Sequence, residues 1–128
     1  MQTAPYGSWT SPINPESVTA AGIRYTDAVE IDGEDVYWVE SRPAEGGRSA
    51  IVRCRDGARS DATPPGFNAR TRVHEYGGGA YAVHEGILFA CSFEDQRIYR
   101  FEPGADPVPI TPEPGIPAGD RYADFVFH

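Results

Sequence analysis

The sequence has no lysine, one methionine, two cysteines and no long apolar run. Each scarcity removes a class of answer. All 11 cations are arginines, spread from Arg24 to Arg121 without a cluster, against 19 acidic residues and a net charge of −8. Such a chain lacks the basic patch that a phosphate backbone requires, which excludes nucleic acid as a partner. No stretch approaches the roughly 18 apolar residues of a membrane helix. The opening MQTAPYGSWTSPI has neither the positive start nor the apolar centre of a secretory leader. No membrane association is expected, and the chain reads as cytoplasmic. Cys54 and Cys91 lie outside any CxxC or Cys/His spacing, so free thiols are expected, with no metal site and no cofactor. The acidic run Glu30–Glu34 lacks the order of a calcium loop and reads as a solvated turn.

What is present is turn-rich and β-rich. A chain of 128 residues supports one core, and its 14 glycines and 12 prolines promise frequent turns. Asp35 to Ser41 (DVYWVES) and Ile87 to Ser92 (ILFACS) are short aromatic and β-branched runs, each preceded by an acid-Gly turn signal. Ser49 to Arg55 and Arg97 to Phe101 follow in the same style. Only Asn14 to Gly22 looks helical, with Asn14 as cap and Pro15 at the first position.

These runs recur in one order. Val36-Tyr37-Trp38-Val39 aligns with Ile87-Leu88-Phe89-Ala90 at an offset of 51, Ile51-Val52-Arg53-Cys54 with Ile98-Tyr99-Arg100-Phe101 at 47, and Ala62-Thr63-Pro64 with Ile110-Thr111-Pro112 at 48. A unit of about 50 residues with four short strands is the signature of a propeller blade. The expected fold is all-β: about two four-stranded antiparallel blades of a β-propeller plus the first strand of a third. The expected boundaries are an amino-terminal arm with a short helix over 1–24, blade one over 25–66, blade two over 67–114, and a linker with the first strand of an incomplete blade over 115–128. Arg121 to His128 resembles the innermost strand of each unit, and an "(I/A)TP" edge strand closes each blade. A blade buries both faces against neighbours, so two blades alone leave apolar faces and sheet edges uncovered. The chain is therefore expected to be the amino-terminal part of a longer protein, with self-association through uncovered faces or an open sandwich of two sheets as the alternatives. The aromatics Tyr37, Trp38, Phe89, Tyr99, Phe101, Phe125 and Phe127 are expected to pack between blades rather than to stack on bases or sugars.

The segments APYGSWTSPI, RTRVHEYGGGAY and PGIPAGDRYADFVF, in that order, resemble the start of bacterial peptidases of the prolyl oligopeptidase family, in the branch with acylaminoacyl-peptidase-like and dipeptidyl-peptidase-like enzymes. The resemblance implies an amino-terminal propeller covering a carboxy-terminal α/β-hydrolase domain with a Ser/Asp/His triad. Its implied partners are that domain, the remaining blades and the peptide substrates. This chain departs from the family where catalysis is concerned: no serine sits in a Gly-x-Ser-x-Gly elbow. No catalytic residue and no activity of its own are therefore expected. The two function classes that remain are a non-catalytic peptidase segment and a free-standing β-repeat module that binds a peptide through an exposed sheet edge.

RTRVHEYGGGAYAV, residues 70 to 83, concentrates the candidate site. An oxyanion loop would need a nucleophile close by, and the chain offers none. Arg70, Arg72, His74, Glu75 and Tyr76 are candidates for lining a channel and touching peptide, with side chains alternating along an inner strand. The structural alternative makes the segment a strand entry, with Glu75 paired to Arg70 or Arg72. Gly77, Gly78 and Gly79 would there allow another backbone to approach closely.

Overall fold

The alternation of apolar and polar residues along 35–42 and 48–55, broken by acid-Gly pairs, builds antiparallel strands rather than helices. A computed structural model describes residues 22–127 together with 3, 5–8 and 13. The helix expected from Asn14, and Trp9, lie outside the described residues.

Among the described residues nine strands form two sheets: β1 (Arg24–Tyr25), β2 (Glu30–Asp32), β3 (Asp35–Arg42), β4 (Arg48–Arg55), β5 (Ala58–Asp61), β6 (Tyr81–His84), β7 (Ile87–Cys91), β8 (Ile98–Phe101) and β9 (Val108–Pro109). The first sheet runs β1-β3-β4-β5, with β2 also on β3; the second runs β6-β7-β8-β9. All pairings are antiparallel. This is the all-β fold of two neighbouring propeller blades. Hairpin tips explain the acid-Gly pairs: Asp56 and Gly57 both take positive φ (52° and 78°), as do Glu85 and Gly86 (51° and 76°). That conformation matches the twist of the flanking strands, and glycine adopts it without a Cβ clash.

The core lies between the sheets. Tyr37, Val39 and Ile51 of the first meet Tyr81, Leu88, Ala90 and Phe101 of the second, with Ala69 from the connecting segment. Each large aliphatic side chain buried there contributes about 1.5–3 kcal/mol. Phe67, also on the connection, sets its edge against Tyr99 and Phe101 at centroid distances of 5.5 and 4.9 Å. The Tyr81 hydroxyl donates to the carbonyls of Ala28 (2.6 Å) and Tyr37 (3.0 Å), so one buried phenol joins the two sheets. Its desolvation pushes the phenol's pKa upward.

The repeat is carried into atomic detail by the threonines of the "(I/A)TP" motif. Thr63 Oγ1 accepts the N–H of Ile51 at 3.2 Å, and Thr111 Oγ1 accepts that of Ile98 at 3.0 Å. One residue earlier, Ala62 N–H bonds Ile51 O (2.7 Å) and Ile110 N–H bonds Ile98 O (2.8 Å). The motif is thus where the edge strand ends, not the strand itself: a hydroxyl replaces the next backbone acceptor and the proline stops the ladder.

Four expectations need correction. The inner strand of the first sheet is split into β1 and β2, because Thr26–Val29 leave the ladder on β3 apart from one bond, Thr26 N–H to Val39 O. Residues 121–127 form no strand. Asp124 N–H bonds Gly79 O at 2.9 Å, and Phe127 stacks on His84 with centroids 4.8 Å apart. Trp38 stays out of the core between the sheets and donates from Nε1 to Glu40 Oε1 at 3.0 Å. The acidic turn is not merely solvated: Glu30 accepts Val83 N–H (3.0 Å) and Asp32 accepts Gly86 N–H (2.6 Å), tying the sheets together.

Candidate functional site

The connection from β5 to β6 threads between the two sheets before it reaches the candidate residues. Asn68 Oδ1 accepts Ser49 N–H (2.9 Å) from the first sheet, and its carbonyl accepts Phe93 N–H (2.9 Å) beyond the second. Ala69 N–H then bonds Ser49 O, and Arg70 N–H bonds Cys91 O. This alternation fixes the segment in the groove between the blades. Gln96, fully buried at positive φ (61°), holds the next residue: its Oε1 accepts Arg72 N–H at 2.7 Å, while Nε2 donates to Ser92 O and Phe93 O.

Beyond Arg72 the chain departs from the expected strand. Val73–Glu75 is a 3-10 turn in which His74 (φ 55°) and Glu75 (φ 67°) both adopt left-handed backbone. Consecutive non-glycine residues in that region store strain, of order 1 kcal/mol or more each. Side chains in this turn do not alternate between two faces, so the strand alternation expected from Arg70 to Tyr76 does not apply. Arg70 and Arg72 instead both set their guanidinium carbons over the Phe93 ring, at 5.1 and 5.8 Å. Glu75 pairs with Arg121, whose hydrogen bond holds its carboxyl below the usual range, and with Arg72 at 3.8 Å. Arg121 also donates to Arg72 O (2.9 Å) and Ala118 O (3.1 Å). Tyr76 is 85% exposed and stacks on His74 at 6.1 Å.

The glycines follow. A Cβ on Gly78 would lie 2.9 Å from Ala123 Cβ, and one on Gly79 would lie 2.7 Å from Asp124 Oδ1. Gly77 sits at φ 102°, which side chains rarely adopt. The bare backbone is gripped from both sides: Asp124 Oδ1 accepts Gly79 N–H (2.8 Å) and Asp27 Oδ2 accepts Ala80 N–H (2.9 Å). The sequences RYTD at 24–27 and RYAD at 121–124 lie 97 residues apart, about two repeat lengths, one on each side of this segment.

Around the segment lies a cleft of about 490 Å³ between the blades, lined by Thr26, Asp27, Ser41, Ser49, Arg70, Thr71, Tyr76, Gly77 and Gly78 among others. Burial pushes the nearby Cys91 thiol up to about 11, so it stays protonated at neutral pH. Cys54 is also a free thiol. Among the described residues no cluster of His, Cys, Asp or Glu is arranged to hold a metal ion. No described helix is long and apolar enough to cross a membrane. The residues that sequence reasoning missed are Gln96, Asp27 and Asp124. Only the shared RYxD tetrapeptide signalled the aspartates.

No protein-family model and no curated protein sequence matches the chain. Solved structures do. A puromycin-hydrolyzing peptidase of Mycobacterium tuberculosis shares 43% identity over 98% of this chain, with a TM-score of 0.87. A puromycin hydrolase shares 41% over 100%, with a TM-score of 0.83. A mutant puromycin hydrolase complexed with PGG shares 43% over 98%, again at 0.83. The chain spans about a fifth of the length of each, 20% or 21%. Identity at this level, along the whole of two blades with the expected strand order, makes this chain a propeller segment of the prolyl oligopeptidase family of serine peptidases.

Proposed function

We propose that this chain is a non-catalytic part of a peptidase, gating or filtering peptide access to a separate α/β-hydrolase domain that carries the Ser/Asp/His triad. The observation that carries the reading is the 43% identity along 98% of the chain to a peptidase five times as long. Two further features support it. The described residues offer no activated nucleophile: the Cys91 thiol is buried and its affinity for its proton is raised. The free face of the first sheet exposes Ile23, Tyr25, Val29 and Ile31 at alternating positions, which suits a further blade as neighbour. In this role the exposed Arg70, His74, Glu75 and Tyr76, with half-buried Arg72, are the candidates for peptide contact in the channel.

The relatives hydrolyse puromycin, as their names state, which makes it the first substrate to try. The chain alone is expected to leave puromycin intact; turnover above the buffer blank overturns the non-catalytic reading. Joined to a hydrolase domain, the segment is expected to restrict cleavage to short peptides. If a version lacking residues 25–109 cleaves long and short peptides in the same ratio as the intact protein, the filter role fails.

A further inference from the structure

We propose that the cleft between the blades binds main-chain carbonyl oxygens of an extended peptide, through the N–H groups of Thr71 and Gly78 and the guanidinium of Arg70. The assignment rests on the peptide-handling role above and gives that role a location. Its basis is a set of donors without acceptors. Along the segment, the N–H groups of Ala69, Arg70, Arg72, Gly79 and Ala80 all have acceptors. Those of Thr71 and Gly78, both lining the cleft, have none among the described residues. Thr71 is itself only 2% exposed, and a buried N–H without an acceptor is uncommon enough to require an explanation.

The charged groups narrow the ligand. Arg70, on the same wall, makes no ion pair among the described residues and is held in place by the Phe93 ring. Asp27 lies in the cleft too, with Oδ1 on Ala28 N–H (2.8 Å) and Oδ2 on Ala80 N–H. Its negative charge, in a chain of net charge −8, opposes a free anion but not a neutral carbonyl. The hydroxyls of Thr26, Ser41 and Ser49 complete the lining and can serve a peptide's N–H or C=O groups. The cleft thus offers both donors and hydroxyls that can accept, as the alternating polarity of an extended backbone requires.

The test is a titration of the nitrogen-15-labelled chain, followed by NMR, with N-acetyl-tetra-alanine amide and separately with acetate. Saturable downfield movement of the Thr71 and Gly78 amide protons with the capped peptide is expected, with little response to acetate. Arg70→Gln is expected to weaken that titration about tenfold, and the same spectra report whether the variant is folded. Silence of both amides with the capped peptide overturns the proposal, as does an equal or stronger response to acetate, which would make the cleft an anion site. The length filter is read separately, from cleavage ratios. A filter that holds while the two amides stay silent therefore sinks this assignment alone.

Discussion

The two sheets share a strand order but solve the same polar problems with different chemistry. In the first, charges do the holding. Asp35, 1% exposed, accepts from Arg55 (2.6 Å) and Arg53 (2.8 Å), and Asp61 takes both guanidinium nitrogens of Arg42 at 2.7 Å. Around the β3–β4 hairpin, Glu40, Glu45 and Arg48 extend this into a network. The second sheet turns its equivalent hairpin with charges that bond neutral groups instead of one another: Gln96 caps three backbone groups, Arg97 donates to Thr111 O, and the Asp95 carboxylate accepts the Tyr99 hydroxyl at 2.7 Å. The difference shows that the repeat preserves backbone geometry while leaving the means of satisfying buried polar atoms free. It also makes the first sheet the one whose stability depends more on ionisation.

The sharpest way to break that contrast is to remove one anchor from each sheet. Asp35→Ala leaves a partly buried Arg53 guanidinium without its partner and is expected to cost about 3 kcal/mol, the lower end for a broken buried pair because Arg55 is half-exposed. Asp95→Ala removes a single phenol hydrogen bond and is expected to cost about 1 kcal/mol. Urea midpoints read both, and equal losses would erase the distinction.

The threonine caps give a matched pair of smaller effects. Thr63→Ala leaves the N–H of fully buried Ile51 without an acceptor, for about 2 kcal/mol. Thr111→Ala does the same to partly buried Ile98, for about 1 kcal/mol. A reversed order would show that burial does not set the cost.

Acid should separate the sheets without mutation. Burial raises the Asp35 pKa, but the Arg53 and Arg55 bonds outweigh it and leave the carboxyl below its usual range; the Arg42 bond does the same for Asp61. A depressed pKa in the folded state stabilises above the unfolded value, about 3.9 for Asp, and that contribution is lost as pH falls through the folded value. Burial also raises the Asp95 pKa before the Tyr99 bond lowers it, so the second sheet carries one such group where the first, with Glu45 held down by Arg48, carries three. Below about pH 4, hydrogen exchange is expected to lose protection in β3 and β4 before β7 and β8. Simultaneous loss would refute this.

The smallest effect is expected at the candidate turn. Glu75→Gln removes an exposed charge from Arg121 and should leave the melting temperature within about 1 °C. A drop of several degrees would make the Glu75–Arg121 pair a structural element of the turn.

The unit repeat was legible because strand alternation and acid-Gly turns are local signals. The offsets of 47 and 48 carry the Val52↔Asp61 pair onto Tyr99↔Pro109, whereas 51 with 47 misses the second hairpin by one residue, since Val36↔Cys54 would fall on Ile87 and Phe101 while Phe101 pairs with Leu88. The turn at 73–75 was not legible. Nothing in the letters HEY announces positive φ at His74 and Glu75; Arg121 and Gln96, distant in sequence, both bond the backbone of Arg72 just before the turn. The Asp35 cluster was hidden for a related reason. Asp35 and Arg55 are 20 residues apart and meet only once β3 and β4 are in register. The paired aspartates at 27 and 124 did leave a trace, in RYTD and RYAD, but a tetrapeptide gains meaning only when both copies are seen gripping Gly79 and Ala80.

Carboxylates reaching backbone amides, as Asp27, Glu30 and Asp32 do at Ala80, Val83 and Gly86, join one sheet to the next without merging their ladders. A boundary made this way works like a row of separate fasteners rather than a weld. These directional bonds fix how the sheets are aligned, while the apolar contacts of Tyr37, Val39 and Ile51 with Tyr81, Leu88 and Phe101 supply the adhesion.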